Sequence, residues 1–321
     1  MGEIIKNGTK ITILGAGNVG ATIAYTLTAF TICSEIVLID INKDKAKGEA
    51  MDIRHGLPFI GNVNIYDGDY ADAAGSDIVV ITAGIGRKPG QTRIDLANTN
   101  VGLIKQVIPQ VAEAAPDAIY VVVSNPVDII TYAILKCTNL SPNQVMGTGT
   151  MLDTSRLRSL LADHVKISPQ SIHAYVFGEH GDSQVIPWSL TNISGMVMNQ
   201  YCTYVCENHN ECGKADIKAI EMNVRNAGGE VIKRKGATFF AIAITVAKLC
   251  EVILTNKQAV LTVSTLLDGS YGLTDVCLSI PCIVGGSGIE RKLTPPLTGE
   301  EMEQLNNSAN ALKSIISALK F

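Results

Sequence analysis

Near the middle of the chain, Gly178-Glu179-His180-Gly181-Asp182-Ser183 sets one histidine between two glycines, with acids close by. Histidine, with an unperturbed pKa near ~6.5, is the side chain best suited to trading a proton at neutral pH. The glycines allow sharp backbone conformations that other residues resist, which can hold a single imidazole out at the end of a strand. Alone, this is a loop histidine. Other stretches supply what a proton-trading histidine would need. Asp153 and Arg156 are three residues apart, on adjoining parts of one face of a predicted helix over 151–164. Residues 83–93, Ala-Gly-Ile-Gly-Arg-Lys-Pro-Gly-Gln-Thr-Arg, are glycine-rich and cationic and long enough to close as a lid. Asn125, in Ser124-Asn125-Pro126-Val127-Asp128, offers both a donor and an acceptor, beside a proline bond able to be cis.

A second chemistry is written near the N-terminus. Lys10–Leu14 is a short apolar strand running into Gly15-Ala16-Gly17-Asn18-Val19-Gly20. An apolar helical stretch follows, then the strand 35–39, ending at Asp40. A bare GxGxxG is an ordinary glycine-rich turn. Between a strand and a helix, with an acid twenty residues past Gly20, it is the dinucleotide-binding unit. Gly15 serves the tight turn, Gly17 the approach of backbone to pyrophosphate, and Gly20 the close packing of helix on strand. The helix N-terminus offers unpaired N–H groups to the phosphates. A carboxylate at Asp40 accepts hydrogen bonds from free ribose hydroxyls and repels a 2′-phosphate, so NAD is expected rather than NADP.

The elements that must position these residues alternate. Helix is expected over 43–56, strand over 77–82, helix over 92–115 with a kink at Pro109, strand over 118–123, helix over 127–137 and strand over 144–147. Five strands are placed by range and the expected total is six, the count of a doubly wound parallel sheet, whose ligands sit beyond the carboxyl ends of the strands. Past 148 the pattern changes. After the helix 151–164, with Arg158 nearly opposite Arg156, the stretch 171–177 alternates like a strand leading to His180. Helices at about 214–234 and from 238, strands near 259–266 and 275–284, and a closing helix from 299 make an α+β unit. The expected division is 1–148 and 149–321, two closely packed units, as 321 residues exceed one typical domain.

Composition narrows the class. Hydrophobic residues at 46% and charged residues at 17% describe a globular protein with a large core. A net charge of −4 and a pI near 5.8 give no basic surface for nucleic acid or anionic membrane. There is no signal-peptide pattern, and the longest apolar run, 239–247, is closed by Lys248, so a cytoplasmic protein is expected. The eight cysteines are scattered singly, Cys33, Cys250, Cys277 and Cys282 within apolar runs, as small buried hydrophobes. Cys202, Cys206, His209 and Cys212 fall within eleven residues but lack the Cys-x-x-Cys pairs of tight zinc sites. No metal is expected.

Assembled, these motifs resemble the NAD-dependent L-lactate and L-malate dehydrogenases, from about Lys10 to Leu319, and Gly-Glu-His-Gly-Asp-Ser is similar to the bacterial L-lactate branch. The resemblance implies that His180 is the proton donor and acceptor, Asp153 its orienting partner and Arg156 the clamp on the substrate carboxylate. It makes Arg93 the loop arginine that polarises the carbonyl, on a mobile lid over 84–95, and Asn125 a substrate-orienting residue. Cofactor contacts are implied for Val19, Asp40, Lys45, Tyr70, Gly84, Ile85 and Asn125, with Gly15, Gly17, Asn18, Gly20 and Val123 completing the expected NAD site. The chemistry agrees. Reducing a 2-keto acid needs a hydride and a proton for the emerging alkoxide, which an imidazolium supplies. A guanidinium fork matches two carboxylate oxygens. Two other classes stand beside this reading, a non-catalytic NAD-binding protein and a metal-dependent NAD glycosidase. The substrate is expected to be pyruvate/L-lactate. Arg87 argues for oxaloacetate/malate, while the Gly-Glu-His-Gly-Asp-Ser stretch, Gln91 and Thr238 match the lactate branch. Arg158 and His173 match positions that bind fructose 1,6-bisphosphate in bacterial relatives, and relatives imply a homotetramer.

Overall fold

The computed structural model describes residues 8–86, 92–205 and 214–319, without the side chains of 93 and 214–216. Four apolar runs make the centre of the sheet: β1 (Lys10–Leu14), β2 (Glu35–Ile39), β4 (Ile78–Ile81) and β5 (Ile119–Val122). Rich in Ile and Val and buried almost throughout, they have the pattern of strands covered on both faces. With β3 (Asn64–Asp67) and β6 (Val145–Gly147) they form a parallel sheet in the order β3-β2-β1-β4-β5-β6. This is the doubly wound order, reversing direction between β1 and β4. The sequence pattern does not locate β3. It is an edge strand in which only Ile65 is fully buried, so it carries no apolar run.

The connections are α1 (Asn18–Ala29), α2 (Lys43–Gly56), α3 (Arg93–Ala114) and α4 (Val127–Cys137). Helix α3 starts at a capping box in which Thr92 and Asp95 satisfy each other's backbone N–H, and it continues through Pro109. Helix α4 is buried from Val127 to Ile134, which seats its N-terminus deep in the molecule. No described helix is long and apolar enough to cross a membrane.

Beyond α5 (Met151–Val165), two short strands, β8 (Asn192–Ile193) and β9 (Met196–Val197), join β7 (Ile172–His173) in a small antiparallel sheet. Helices α6 (Met198–Tyr204), α7 (Lys214–Lys235) and α8 (Phe240–Leu254) follow. Next come β10 (Ala259–Asp268), β11 (Thr274–Gly285), β12 (Gly288–Lys292) and α9 (Gly299–Ala318), the last also opened by a capping box, Thr298 with Glu301. Strand β10 pairs antiparallel to β6 at Ser264 and Gly147, so the second half extends the first sheet to nine strands.

One expectation needs correcting. The stretch 171–177 is not a continuous strand, because only Ile172 and His173 pair in a ladder. Burial does alternate, with Ile172, Ala174 and Val176 inside and His173 exposed, but Phe177 is buried as well. The segment crosses from the small sheet to the large one. Phe177 bridges Val185, and Gly178 exchanges backbone hydrogen bonds with Ser279 of β11 at 2.9 and 3.0 Å. That change of partner ends the alternation. Cys33, Cys250, Cys277 and Cys282 are buried, as their apolar surroundings imply.

Candidate active site

Two glycine turns build the floor of one half of the site. Gly15 has φ +101°, a left-handed conformation that only glycine adopts freely, and its N–H reaches Ile39 O at 2.7 Å. A Cβ on Gly20 would lie 1.8 Å from Gly15 O, so close packing of α1 on the turn excludes any side chain there. Thr82, at the end of β4, donates its hydroxyl to Leu14 O and Gly15 O at 3.0 and 2.9 Å, tying the two loops of the switch point together. Gly17 differs. A Cβ there would meet nothing within 4 Å, so the protein itself does not require glycine.

Helix α1 has no side-chain cap and no acid in its first turn, which leaves its N–H groups and positive dipole end available to an anion. At the end of β2, Asp40 accepts the Ala16 N–H at 2.7 Å and the Asn42 N–H at 2.8 Å, one per oxygen. Each oxygen keeps a lone pair for a ribose hydroxyl. These features fit a dinucleotide. Asn18 and Lys45 are exposed near this edge, Tyr70 packs partly buried against the core, and Gly84 and Ile85 are exposed after β4.

The second half lies across the cleft. Gly178, at φ +83°, turns the chain so that His180 enters a cleft of about 260 Å³. Gly181 has no positive φ. A Cβ there would come within 2.9 Å of the Glu179 carboxyl carbon, so a side chain at this position would displace that carboxylate. The His180 imidazole remains about a quarter exposed (27%), while Asp153 on α5 is almost fully buried (3%). Asp153 Oδ2 lies 2.5 Å from His180 Nδ1, and its Oδ1 accepts from Arg156 Nη1 at 2.9 Å. One buried carboxylate therefore bridges the two groups. Burial opposes charge on His180, but Asp153 outweighs it and holds the imidazole above its ordinary range. Burial likewise opposes charge on Asp153, and His180, then Arg156, hold it below the ordinary carboxylate range.

Val19, Val123, Asn125, Asp153, Arg156, His180 and Thr238 all line the same cleft. The Asn125–Pro126 bond is cis. Arg87, Gln91 and the side chain of Arg93 lie outside the described residues, as do Cys206, His209 and Cys212, leaving only Cys202 of that cluster. Arg158 sits apart from Arg156. It donates from Nε to Ala174 O at 3.1 Å, lies over the Tyr175 ring and lines a separate pocket of about 450 Å³ with Ser155, Ser159 and Gln170. His173, exposed on β7, is one residue from that carbonyl.

Sequence reading missed five contributors. Arg225, Gly228 and Ile232 of α7 line the cleft, and a Cβ on Gly228 would lie 3.5 Å from the Arg156 guanidinium. The signal was present: a Gly-Gly pair inside a 22-residue helix costs helix stability and marks a close approach. Asn100, almost fully buried on α3, exchanges hydrogen bonds with the backbone of Ile85 and donates to Asn125 O at 2.7 Å, joining the loop after β4 to the Asn-Pro loop. Asp128 accepts the His180 backbone N–H at 2.9 Å. Burial pushes its carboxyl up to about 6.

Comparison with known proteins agrees with this geometry. The model of the lactate/malate dehydrogenase NAD binding domain matches residues 9–147, and that of the lactate/malate dehydrogenase alpha/beta C-terminal domain matches 150–320. An L-lactate dehydrogenase of Acetivibrio thermocellus is 50% identical over 99% of this chain and 98% of its own length. One from Thermoanaerobacter pseudethanolicus is 47% identical over 97% of this chain and 99% of its own. The crystal structure of a minor L-lactate dehydrogenase from Enterococcus mundtii superposes with a TM-score of 0.93 at 37% identity, covering 98% of this chain and all of that one. A glycine turn shaped for NAD, facing a histidine held by a buried aspartate, thus occurs here in a chain that belongs to the lactate/malate dehydrogenase family.

Proposed function

We propose that the protein is an L-lactate dehydrogenase that interconverts pyruvate and L-lactate, with His180 as the proton carrier. The observation that carries this reading is the single buried carboxylate of Asp153 gripping both His180 and Arg156. NAD, when bound, supplies or accepts the hydride. The chain's own residues do the rest. Arg156 takes the substrate carboxylate, with Asp153 fixing the angle of its guanidinium. His180 donates its proton from Nε2 to the emerging alkoxide, because Nδ1 is committed to Asp153. Asn125 orients the carbonyl, Thr238 borders the substrate's methyl group, and Arg93, on a lid over 84–95, brings positive charge to the developing oxyanion as water is excluded.

Reduction of oxaloacetate is the second reading, favoured by Arg87, which would pair with a second substrate carboxylate. A desolvated charge-assisted pair is worth roughly 1.5–3 kcal/mol. The test is kcat/KM for pyruvate and oxaloacetate on wild type and Arg87→Gln. Preference for pyruvate in the wild type supports the lactate reading; preference for oxaloacetate, reversed by the substitution, refutes it. His180→Asn should lower turnover at least ~10²-fold while NADH still binds. Preserved turnover with lost NADH affinity would refute the assignment of His180.

The wider reading places the NAD unit at 1–148 and the substrate unit at 149–321, in a cytoplasmic homotetramer. Arg158 and His173 would bind fructose 1,6-bisphosphate where two subunits meet. Arg158 supports this by its place beside a pocket separate from the cleft and one residue from His173 in contact. An unchanged pyruvate saturation curve with millimolar bisphosphate at mildly acid pH counts against it.

A further inference from the structure

Behind the imidazole lies a second carboxylate. Asp128 stands in the first turn of α4, two residues past the cis Asn125–Pro126 bond, and is 2% exposed. Its Oδ2 accepts the backbone N–H of His180 at 2.9 Å, while Oδ1 is buried, with the Ser264 hydroxyl beside the carboxylate but no fully formed hydrogen bond to it among the described residues. Holding one N–H does not require a charge. An asparagine carbonyl would accept the same hydrogen bond at a far smaller desolvation cost, since burying a carboxylate is expensive unless it is fully paired. The charge is therefore a burden to the fold, and it must be explained by what stands next to it.

The charged and titratable groups around His180, among the described residues, are these. Asp153 and Arg156 face it from α5 and Asp128 from α4, Glu179 and Asp182 belong to its own loop, and Asp182 lines the same cleft as Arg225 of α7. Around Asp128 are His180, Glu179 and the Cys277 thiol of β11, a thiol that burial keeps neutral. Of these, only His180 brings positive charge to Asp128. The two carboxylates act on the histidine from different sides: Asp153 through the ring and Asp128 through the backbone.

We propose that Asp128 is a positioning residue for His180, a second carboxylate that fixes the histidine through its backbone N–H and places negative charge behind it. Its charge favours the imidazolium that gives up a proton in 2-keto acid reduction, adding to the effect of Asp153. Asp128 also sits in the stretch that carries Asn125, so one short segment sets both the substrate-orienting amide and the base of the histidine loop. This rests on His180 being the proton carrier.

The experiment is the pH profile of kcat/KM for pyruvate with NADH, on wild type and Asp128→Asn. Reduction needs the protonated histidine, so the rate falls on the alkaline side as His180 loses its proton. The amide keeps the acceptor for the His180 N–H and removes only the charge. The alkaline limb should move to lower pH by about half a unit or more, the scale of one charge removed nearby at an effective dielectric near 20. The KM for NADH should stay within about threefold, since Asp128 is outside the dinucleotide turn. An unmoved limb overturns the role of Asp128 and leaves that of His180 standing. A wild type with no alkaline limb, together with an active His180→Asn, overturns the reading of His180 itself. Should Asp128→Asn not fold, the wild-type His180 ring is followed by ¹⁵N NMR, its signals assigned by their loss in His180→Asn. Two inflections with pH, one from the ring and a second that persists in Asp153→Asn, support the proposal; a single inflection, or a second one lost in Asp153→Asn, overturns it.

Discussion

Asp153→Asn tests the arrangement most directly, because one substitution touches both the proton carrier and the carboxylate clamp. Asp153 Oδ2 is in contact with His180 Nδ1 at 2.5 Å. Two unit charges with centres about 4 Å apart interact by ~4 kcal/mol at an effective dielectric near 20. At ~1.4 kcal/mol per factor of ten, losing that support for the imidazolium costs about 10³ in pyruvate reduction at neutral pH. Observed losses for histidine–carboxylate pairs in general acid–base catalysis, ~10²–10⁴, bracket this figure. The loss should be smaller at acid pH, where more of the variant's histidine is protonated. Stability changes in the same experiment. His180 is held above its ordinary value, so its contribution to stability is complete below about pH 6.5 and disappears as pH rises through the raised value. Asp153 is held below its ordinary value, so its contribution is complete above about pH 4 and disappears as pH falls through the lowered one. The stability gap between wild type and Asp153→Asn should therefore be widest between those limits and narrow on both flanks. Its maximum should be about 2–4 kcal/mol, below the full cost of breaking a deeply buried pair because the imidazole keeps contact with solvent. Steady-state NADH oxidation across pH and urea denaturation at matched pH measure both. A turnover within about threefold of wild type, with an unchanged pH profile, would refute the reasoning.

Two further substitutions probe the remaining contacts. Arg156→Lys keeps the charge but loses the fork, and should raise KM for pyruvate about 10- to 100-fold with NADH affinity unchanged, read by steady-state kinetics and NADH fluorescence titration; an unchanged KM would remove Arg156 from substrate binding. Gly17→Ala and Gly20→Ala should separate ligand space from protein packing. Gly20→Ala forces a methyl onto Gly15 O and should lower Tm by several degrees, whereas Gly17→Ala should leave Tm near wild type and weaken NADH binding, since the methyl meets no protein atom. Equal Tm losses in the two variants would contradict that assignment.

The chain's own order of residues determined a good deal. The strand–turn–helix–strand run ending at Asp40 marks the dinucleotide site because strand periodicity, glycine spacing and the acid are all local features. The Asp153–Arg156 pair was legible for the same reason, since i, i+3 neighbours on a helix meet wherever the helix is placed. Tertiary structure decided what depends on partners distant in sequence. Edge strand β3 has little apolar surface of its own and exists by pairing with β2. The stretch 171–177 reads as one strand by alternation, yet it divides between two sheets once Gly178 meets Ser279, about a hundred residues away. Arg225 and Gly228 reach the cleft only because α7 packs against α5. Asp128, 52 positions before His180, looks in sequence like an ordinary acid in the first turn of a helix. Folding buries it against the histidine's backbone, and a charge that water would have screened then acts on the proton carrier across a short path of low dielectric.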